Sequence, residues 1–168
     1  MPASIIVADL VILCFAALVF AAAMSDILTF RIPNRLCLTM ALLYPVYVIA
    51  APQTVEWLPA IGIASAALVL GFALFSVKFC GAGDAKLFAA IALWSGPQFI
   101  LPFTFITLLA GGVIAIFIWL QHRFAQAATP LLVFQAAPDP MIGKLQMPYG
   151  AAIAVAALYV AFTLMRIS

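Results

Sequence analysis

The sequence predicts an all-α polytopic integral membrane protein with about six transmembrane helices. Three observations indicate this class: 68% of the residues are hydrophobic, only 7% are charged, and the mean hydropathy is +1.30. Soluble domains lie far from these values. A helix needs roughly 20 apolar residues to cross the bilayer, so 168 residues suffice for about six spans. We therefore expect a single transmembrane domain over residues 1–168.

The individual helices follow from the apolar runs and from the polar or proline-containing breaks between them. Pro33 suits the first turn of the second helix, because a proline there sacrifices no helical hydrogen bond. A single helix over residues 87–120 would be about 50 Å long, too long for one crossing. Gly96-Pro97 therefore divides this run, and the fourth helix is short. The predicted helices cover residues 4–24, 36–51, 57–77, 87–94, 99–120 and 147–165, with the longest loop at residues 121–146.

The basic residues predict the orientation of the helices. With six spans, only Arg166 lies on one side of the membrane and the other basic residues lie on the opposite side. Because Lys and Arg collect on the cytoplasmic side, that opposite side is expected to face the cytoplasm. Both termini are then expected outside the cytoplasm, with the first helix retained rather than cleaved as a signal peptide. A net charge of +2 with scattered basic residues indicates the lipid bilayer, and no nucleic acid, as partner. The basic residues predicted on the cytoplasmic side are Arg31, Arg35, Lys78, Lys86, Arg123 and Lys144.

Two aspartates are the candidate catalytic residues. Asp26 lies at the end of the first span and Asp84 at the start of the short fourth, so both are expected at one depth on the cytoplasmic side. Two carboxyl groups held close in a poorly solvated site share one proton. One of them can then act as a base toward water while the protonated partner polarises a carbonyl. The sequence does not assign these roles, and each aspartate alone is also explained as a helix cap or a surface charge.

The residues around Asp84 support a site. Gly81 and Gly83 permit backbone geometries closed to other residues and allow a second chain, such as a peptide substrate, to approach closely. Lys86 either acts on Asp84 or the substrate, or anchors its helix at the membrane surface. The three cysteines form no C-x-x-C pair and His122 stands alone, so the sequence predicts neither a metal nor a cofactor.

Three segments resemble, in the same order, the motifs of one protein family. Gly81-Ala82-Gly83-Asp84 with Lys86 is similar to the G-x-G-D motif of membrane-embedded aspartyl proteases. Asp26 with Ile32-Pro33-Asn34 resembles the first catalytic segment of the type IV prepilin peptidase family. Met147-Pro148-Tyr149-Gly150-Ala151 resembles the segment that opens the last helix in that family. G-x-G-D alone is a weak pattern, whereas the three segments together, over residues 20–160, are a strong one.

The resemblance implies a metal-independent aspartic endopeptidase with Asp26 and Asp84 as its catalytic pair. It would cut the short basic leader from pilin precursors at the cytoplasmic face of the bacterial inner membrane, beside the pilus-assembly machinery. The chain lacks the cysteine-paired segment of larger members, so methyltransferase activity is not expected, and it resembles the small branch that serves tight-adherence (Flp-type) pili. The supporting residues implied are Pro33, Asn34, Gly81, Gly83, Lys86, Pro148, Tyr149 and Gly150.

Three other functions remain open at this stage. A proton-coupled transporter or channel subunit also uses paired carboxylates, but the middles of these helices are almost uncharged. A purely structural assembly subunit would tolerate neutralisation of both aspartates. A G-x-G-D protease that cuts transmembrane helices is disfavoured by the shallow depth of both aspartates and by the Ile32-Pro33-Asn34 segment. The sequence does not predict the oligomeric state.

Overall fold

The computed structural model of the chain consists of α-helices and their connections. It describes residues 3–78, 80–128 and 149–167, and that part of the chain contains no strand. The predicted all-α class is therefore confirmed. The five helices are α1 (Ala3–Thr29), α2 (Asn34–Ala50), α3 (Trp57–Ser76), α4 (Ala82–Ala128) and α5 (Tyr149–Ile167).

Helix length and outward-facing apolar side chains both fit a membrane protein. Four helices, α1, α3, α4 and α5, are long and apolar enough to cross a membrane, whereas α2 has only 17 residues. Every helix also carries large apolar side chains on its outer face, such as Ile49, which is 86% exposed, and Leu101, which is 78% exposed. A soluble monomer rarely exposes apolar surface so widely. The predicted membrane class is supported, but the count of six spans is not confirmed.

α4 is interrupted at Gly96. This glycine has φ 54° and ψ −170°, outside the helical region, and Pro97 follows it. A positive φ strains any residue that carries a Cβ, which explains the glycine. The break divides α4 into the segments 82–95 and 97–128 and confirms the predicted division at Gly96-Pro97. The first segment is about 21 Å long at 1.5 Å per residue, so it is short, as predicted.

α1 extends further than the apolar run predicts. It continues to Thr29, so the prediction of a polar connection over residues 25–35 is wrong for its first five residues. The Thr29 hydroxyl donates a hydrogen bond to the Ser25 carbonyl (2.7 Å), and the Phe30 N–H donates to the Asp26 carbonyl (2.8 Å). Phe30 then ends the helix with φ 50°. Asp26 is therefore a residue of the last helical turn.

α4 likewise begins earlier than predicted. The Ala85 N–H donates to the Gly81 carbonyl (3.1 Å), which opens the helix within the predicted connection 78–86. Asp84 is thus the third residue of α4. The prediction that Pro33 lies in the first turn of α2 is wrong. Pro33 is the N-cap residue just before that turn, with φ −62° and ψ 130°. The predicted loop 121–146 begins as helix up to Ala128, and its remainder lies outside the described residues.

The helices pack around an aromatic cluster in which Trp94 is central. The Phe15 ring stacks on Trp94 with centroids 4.2 Å apart, and the Trp94 indole N–H donates to the Met40 carbonyl (3.0 Å). α2 and α5 each pack against both α1 and α4, while α3 packs against α4. These contacts bring the end of α1 and the beginnings of α2, α4 and α5 to one end of the bundle, which we call the aspartate end.

The crossing of α3 and α4 predicts an effect of Gly71→Ala on stability. A Cβ at Gly71 would lie 2.7 Å from the Ala85 Cβ, next to Asp84 in the chain. The added methyl group would push α3 and α4 apart at this crossing, so we expect Gly71→Ala to destabilise the protein by about 1–3 kcal/mol. Thermal unfolding in detergent measures this. Gly62→Ala in the same helix is the control, since a Cβ there meets nothing within 4 Å; equal melting temperatures would contradict the prediction.

Candidate active site

Asp26 is a buried carboxyl group in the last turn of α1. Its side chain is only 5% exposed. The backbone N–H groups of Gly150 and Ala151, at the beginning of α5, lie within reach of the carboxyl group. Its Oδ2 atom is buried and has no hydrogen-bond partner in the part of the chain that the structure describes. A buried polar atom without a partner is costly and is commonly kept for function.

Asp84 lies in the first turn of α4 and is half-buried. The Gly81 N–H lies within reach of its carboxyl group, in the arrangement of a helix-capping side chain. It is also close enough to Asp26 for the two charges to repel each other. The two aspartates thus lie near each other at one end of the bundle, although 58 positions separate them in the sequence. Capping explains the position of Asp84 beside Gly81 but not its proximity to the buried carboxyl group of Asp26.

The two glycines of the G-x-G-D segment act through close packing. Neither has a positive φ, because among the described glycines only Gly96 does. A Cβ at Gly81 would lie 2.8 Å from Asp84 Oδ2, and a Cβ at Gly83 would lie 3.3 Å from the Ile32 Cβ. The expectation of unusual backbone geometry is therefore wrong, and the expected close approach of a peptide substrate stays a prediction. The chain that approaches Gly83 is the protein's own α1–α2 connection.

The Ile32-Pro33-Asn34 segment connects directly to α4. The Lys86 Nζ donates a hydrogen bond to the Asn34 Oδ1 (3.0 Å). Lys86 therefore pairs with an amide of α2, and the Asp84 carboxyl group is not its hydrogen-bond partner. Together with the packing of Ile32 on Gly83, this bond links two of the three segments that carry the family resemblance.

The beginning of α5 completes the site. A Cβ at Gly150 would lie 2.7 Å from Asp26 Oδ2 and 2.9 Å from the Asp26 Cβ, so only a glycine allows α5 to approach this closely. Tyr149 packs on the second segment of α4, where a Cβ at Gly111 would lie 3.2 Å from its ring. Pro148, also predicted as a supporting residue, lies outside the described residues.

Sequence reasoning missed two residues that shape this site. Ile32 was noted only as part of a motif, yet its side chain is the contact for Gly83. Gly111 was not selected, although glycine in an apolar helix is a signal of close packing against another helix. The structure adds no metal site: the described residues include no group of three His, Cys, Asp or Glu side chains placed to hold an ion.

Cys80 is a neighbour of the site with no sign of reactivity. Burial, together with the negative charge of Asp84, raises the pKa of its thiol above the ordinary value. The Sγ atom donates to the Gly71 carbonyl (3.6 Å). A thiol that stays protonated is a poor nucleophile. These contacts describe Cys80 as a small packing residue and not as a catalytic one.

The site offers two neighbouring carboxyl groups, one buried and one half-buried, on two different helices. Such a pair can hold one proton between its members and so combine a base with an acid. Acid–base chemistry on a bound water and a carbonyl requires this combination.

Comparison with known proteins identifies the family. The model of the type IV leader peptidase family matches residues 13–116, a stretch that includes Asp26, Asn34 and Asp84. No curated protein and no solved structure matches the chain. The match covers more than half of the sequence and includes two of the three segments that carry the resemblance noted above, while residues 147–151 lie beyond it. The chain therefore belongs to the type IV leader peptidase family, a family of proteases.

Proposed function

We propose that the protein is a membrane-embedded aspartic endopeptidase that removes the leader peptide from prepilin-like precursors. The observation that supports this proposal is the proximity of Asp26 and Asp84 at one end of the bundle, within the segment that matches the family. The family supplies the leader peptidase activity, and the carboxyl pair supplies the aspartic mechanism.

In this mechanism the two carboxyl groups divide the work. The ionised carboxylate takes a proton from a water molecule, whose oxygen attacks the carbonyl carbon of the scissile peptide bond. The protonated partner donates its proton toward the carbonyl oxygen and stabilises the tetrahedral intermediate. When the intermediate collapses, the C–N bond breaks and the leaving amine takes the proton that came from water.

The basic residues support an active site that faces the cytoplasm. Arg31, Arg35, Lys78 and Lys86 all lie at the aspartate end, and Arg166 lies near the end of α5 at the opposite end. Lys and Arg accumulate in cytoplasmic connections of membrane proteins. A multi-pass protein of the bacterial inner membrane, cutting at the cytoplasmic face, fits this distribution.

The position of the pair at the end of the bundle also favours leader cleavage over cleavage within a transmembrane helix. A leader junction lies at the membrane surface, and carboxyl groups in the last turn of α1 and the first turn of α4 fit a cut at that depth. A protease for helix interiors would require the carboxyl groups near the bilayer middle. A proton-coupled transporter would require ionisable groups deeper along the spans.

Cleavage by the purified protein in proteoliposomes tests the proposed function. The substrate is a precursor with a short basic leader followed by an apolar helix, and mass spectrometry identifies the cut bond. We expect a single cut at the junction, and no cut in a matched substrate whose junction is moved roughly ten residues into the apolar helix. Cleavage within the helix would indicate an intramembrane protease. Absence of cleavage together with proton flux, followed by an enclosed pH-sensitive dye, would indicate a transporter.

A further inference from the structure

The separation of the two aspartates depends on helices that carry neither of them. Asp26 belongs to α1 and Asp84 to α4, yet α2 and α5 are the helices that pack against both. The direct contact between α1 and α4 at Phe15 and Trp94 lies far along the helices from the aspartate end. Any group that fixes α2 against α4 at the aspartate end therefore also influences where Asp84 lies relative to Asp26.

The connection between α1 and α2 is held firmly to α1. The Ser25 hydroxyl donates a hydrogen bond to the Arg31 carbonyl (2.8 Å). The Thr29 hydroxyl, which donates its proton to the Ser25 carbonyl, also lies 3.3 Å from the Arg31 carbonyl oxygen. These two hydroxyl groups flank Asp26 in the last turn of α1. A displacement of the connection is therefore transmitted to the helical turn that carries Asp26.

The same connection and the first residue of α2 each make one contact with α4. Ile32 packs against Gly83, the residue before Asp84. The Lys86 ammonium group, two residues after Asp84, donates to the Asn34 amide oxygen across 52 positions of the sequence. The two contacts flank Asp84 on both sides along the chain. The packing of Ile32 on Gly83 alone would let the two segments slide past each other. The charge-assisted hydrogen bond from Lys86 to Asn34 also fixes the direction and distance between them.

We propose that Lys86 and Asn34 are a positioning pair, which holds the beginnings of α2 and α4 together and thereby sets the separation of Asp26 and Asp84. The inference rests on the proposed function, because it assigns a role within the same site. It differs from a role of Lys86 in substrate binding or in membrane anchoring, since neither of those requires a partner at residue 34. Both side chains are exposed, so the pair acts on geometry more than on stability.

Cleavage kinetics distinguish a positioning pair from an independent lysine. We expect Asn34→Ala and Lys86→Ala each to lower kcat about tenfold with KM nearly unchanged, and the double variant to be no worse than either. Asn34→Asp keeps an acceptor and should retain activity. Exchange of the two residues, Asn34→Lys with Lys86→Asn, should recover most of it. Arg35→Ala controls for the loss of a positive charge at the same end.

Cross-linking tests the same pair without requiring any activity. The three native cysteines, Cys14, Cys37 and Cys80, are replaced by serine, and Asp26→Cys with Asp84→Cys is treated with a short bifunctional thiol reagent. We expect Asn34→Ala or Lys86→Ala to reduce the cross-linking rate severalfold, and Arg35→Ala to leave it unchanged. Two results would overturn the positioning pair. The first is an unchanged cross-linking rate in Asn34→Ala and Lys86→Ala. The second is cleavage activity that Lys86→Ala loses, that Asn34→Ala retains and that the exchange does not recover. A wild type that cuts no precursor overturns the proposed function instead.

Discussion

Asp26→Asn and Asp84→Asn will each lower the rate of leader cleavage by at least about 10³-fold. An amide can neither take a proton from water nor donate one as a carboxylic acid does, so either substitution removes half of the acid–base pair. Asparagine has nearly the same volume as aspartate, and the fold is expected to persist. The rate is measured with purified variants and a precursor, under single-turnover conditions.

Two comparisons make this first prediction specific. Glu56→Gln neutralises an exposed carboxylate at the start of α3, at the opposite end of the bundle, and should cleave like the wild type. The double variant Asp26→Asn with Asp84→Asn should be no slower than either single variant, because residues that act as one unit are not additive. Substantial cleavage by either single variant, with its protein folded in the membrane, would refute a two-aspartate mechanism.

Gly150→Ala will lower kcat about 10²-fold. The new methyl group would lie 2.7–2.9 Å from three atoms of the Asp26 side chain, so either the carboxyl group or the beginning of α5 must move. Movement of α5 also withdraws the N–H groups of Gly150 and Ala151 from that carboxyl group. A displacement of about 1 Å in a catalytic group is sufficient for a loss of this size.

The matched control for Gly150 is a glycine in open space. Gly112, in the second segment of α4, has nothing within 4 Å of an added Cβ, so Gly112→Ala should retain both cleavage and stability. Substrate binding should change less than kcat in Gly150→Ala, because the substitution displaces a reacting group rather than a binding surface. Full activity of Gly150→Ala would show that α5 does not position Asp26.

The sequence was sufficient for the class of the fold and for the break in α4. Apolar runs separated by polar breaks predicted an all-α membrane protein, and Gly96-Pro97 predicted the break in α4. These two predictions succeeded because they depend on composition and on local rules for glycine and proline, which tertiary packing does not reverse. The motif segments selected Asp26 and Asp84 through a family resemblance, and the catalytic roles of both residues stay a prediction.

The ends of the helices could not be predicted from hydropathy. Hydropathy detects contact with lipid, whereas a helix continues through polar residues wherever side-chain hydrogen bonds support it. Thr29 extends α1 past Asp26 in this way, and the Gly81 carbonyl starts α4 before Asp84. The contacts of Ile32 with Gly83 and of Tyr149 with Gly111 depend on which distant helices pack together, and a glycine in the sequence does not name its partner. The number of spans is also difficult to predict, because the 17 residues of α2 do not decide by length alone whether this helix crosses the membrane.

Leader cleavage in cells tests the central claim most directly. A prepilin-like precursor is co-expressed with the wild type or with the double variant Asp26→Asn and Asp84→Asn, at equal levels in the membrane, and the extracted pilin is sequenced from its amino terminus. We predict a shortened pilin that begins at its apolar helix with the wild type, and only the full-length precursor with the double variant. A shortened pilin in both, or in neither, would contradict a peptidase that uses these two aspartates.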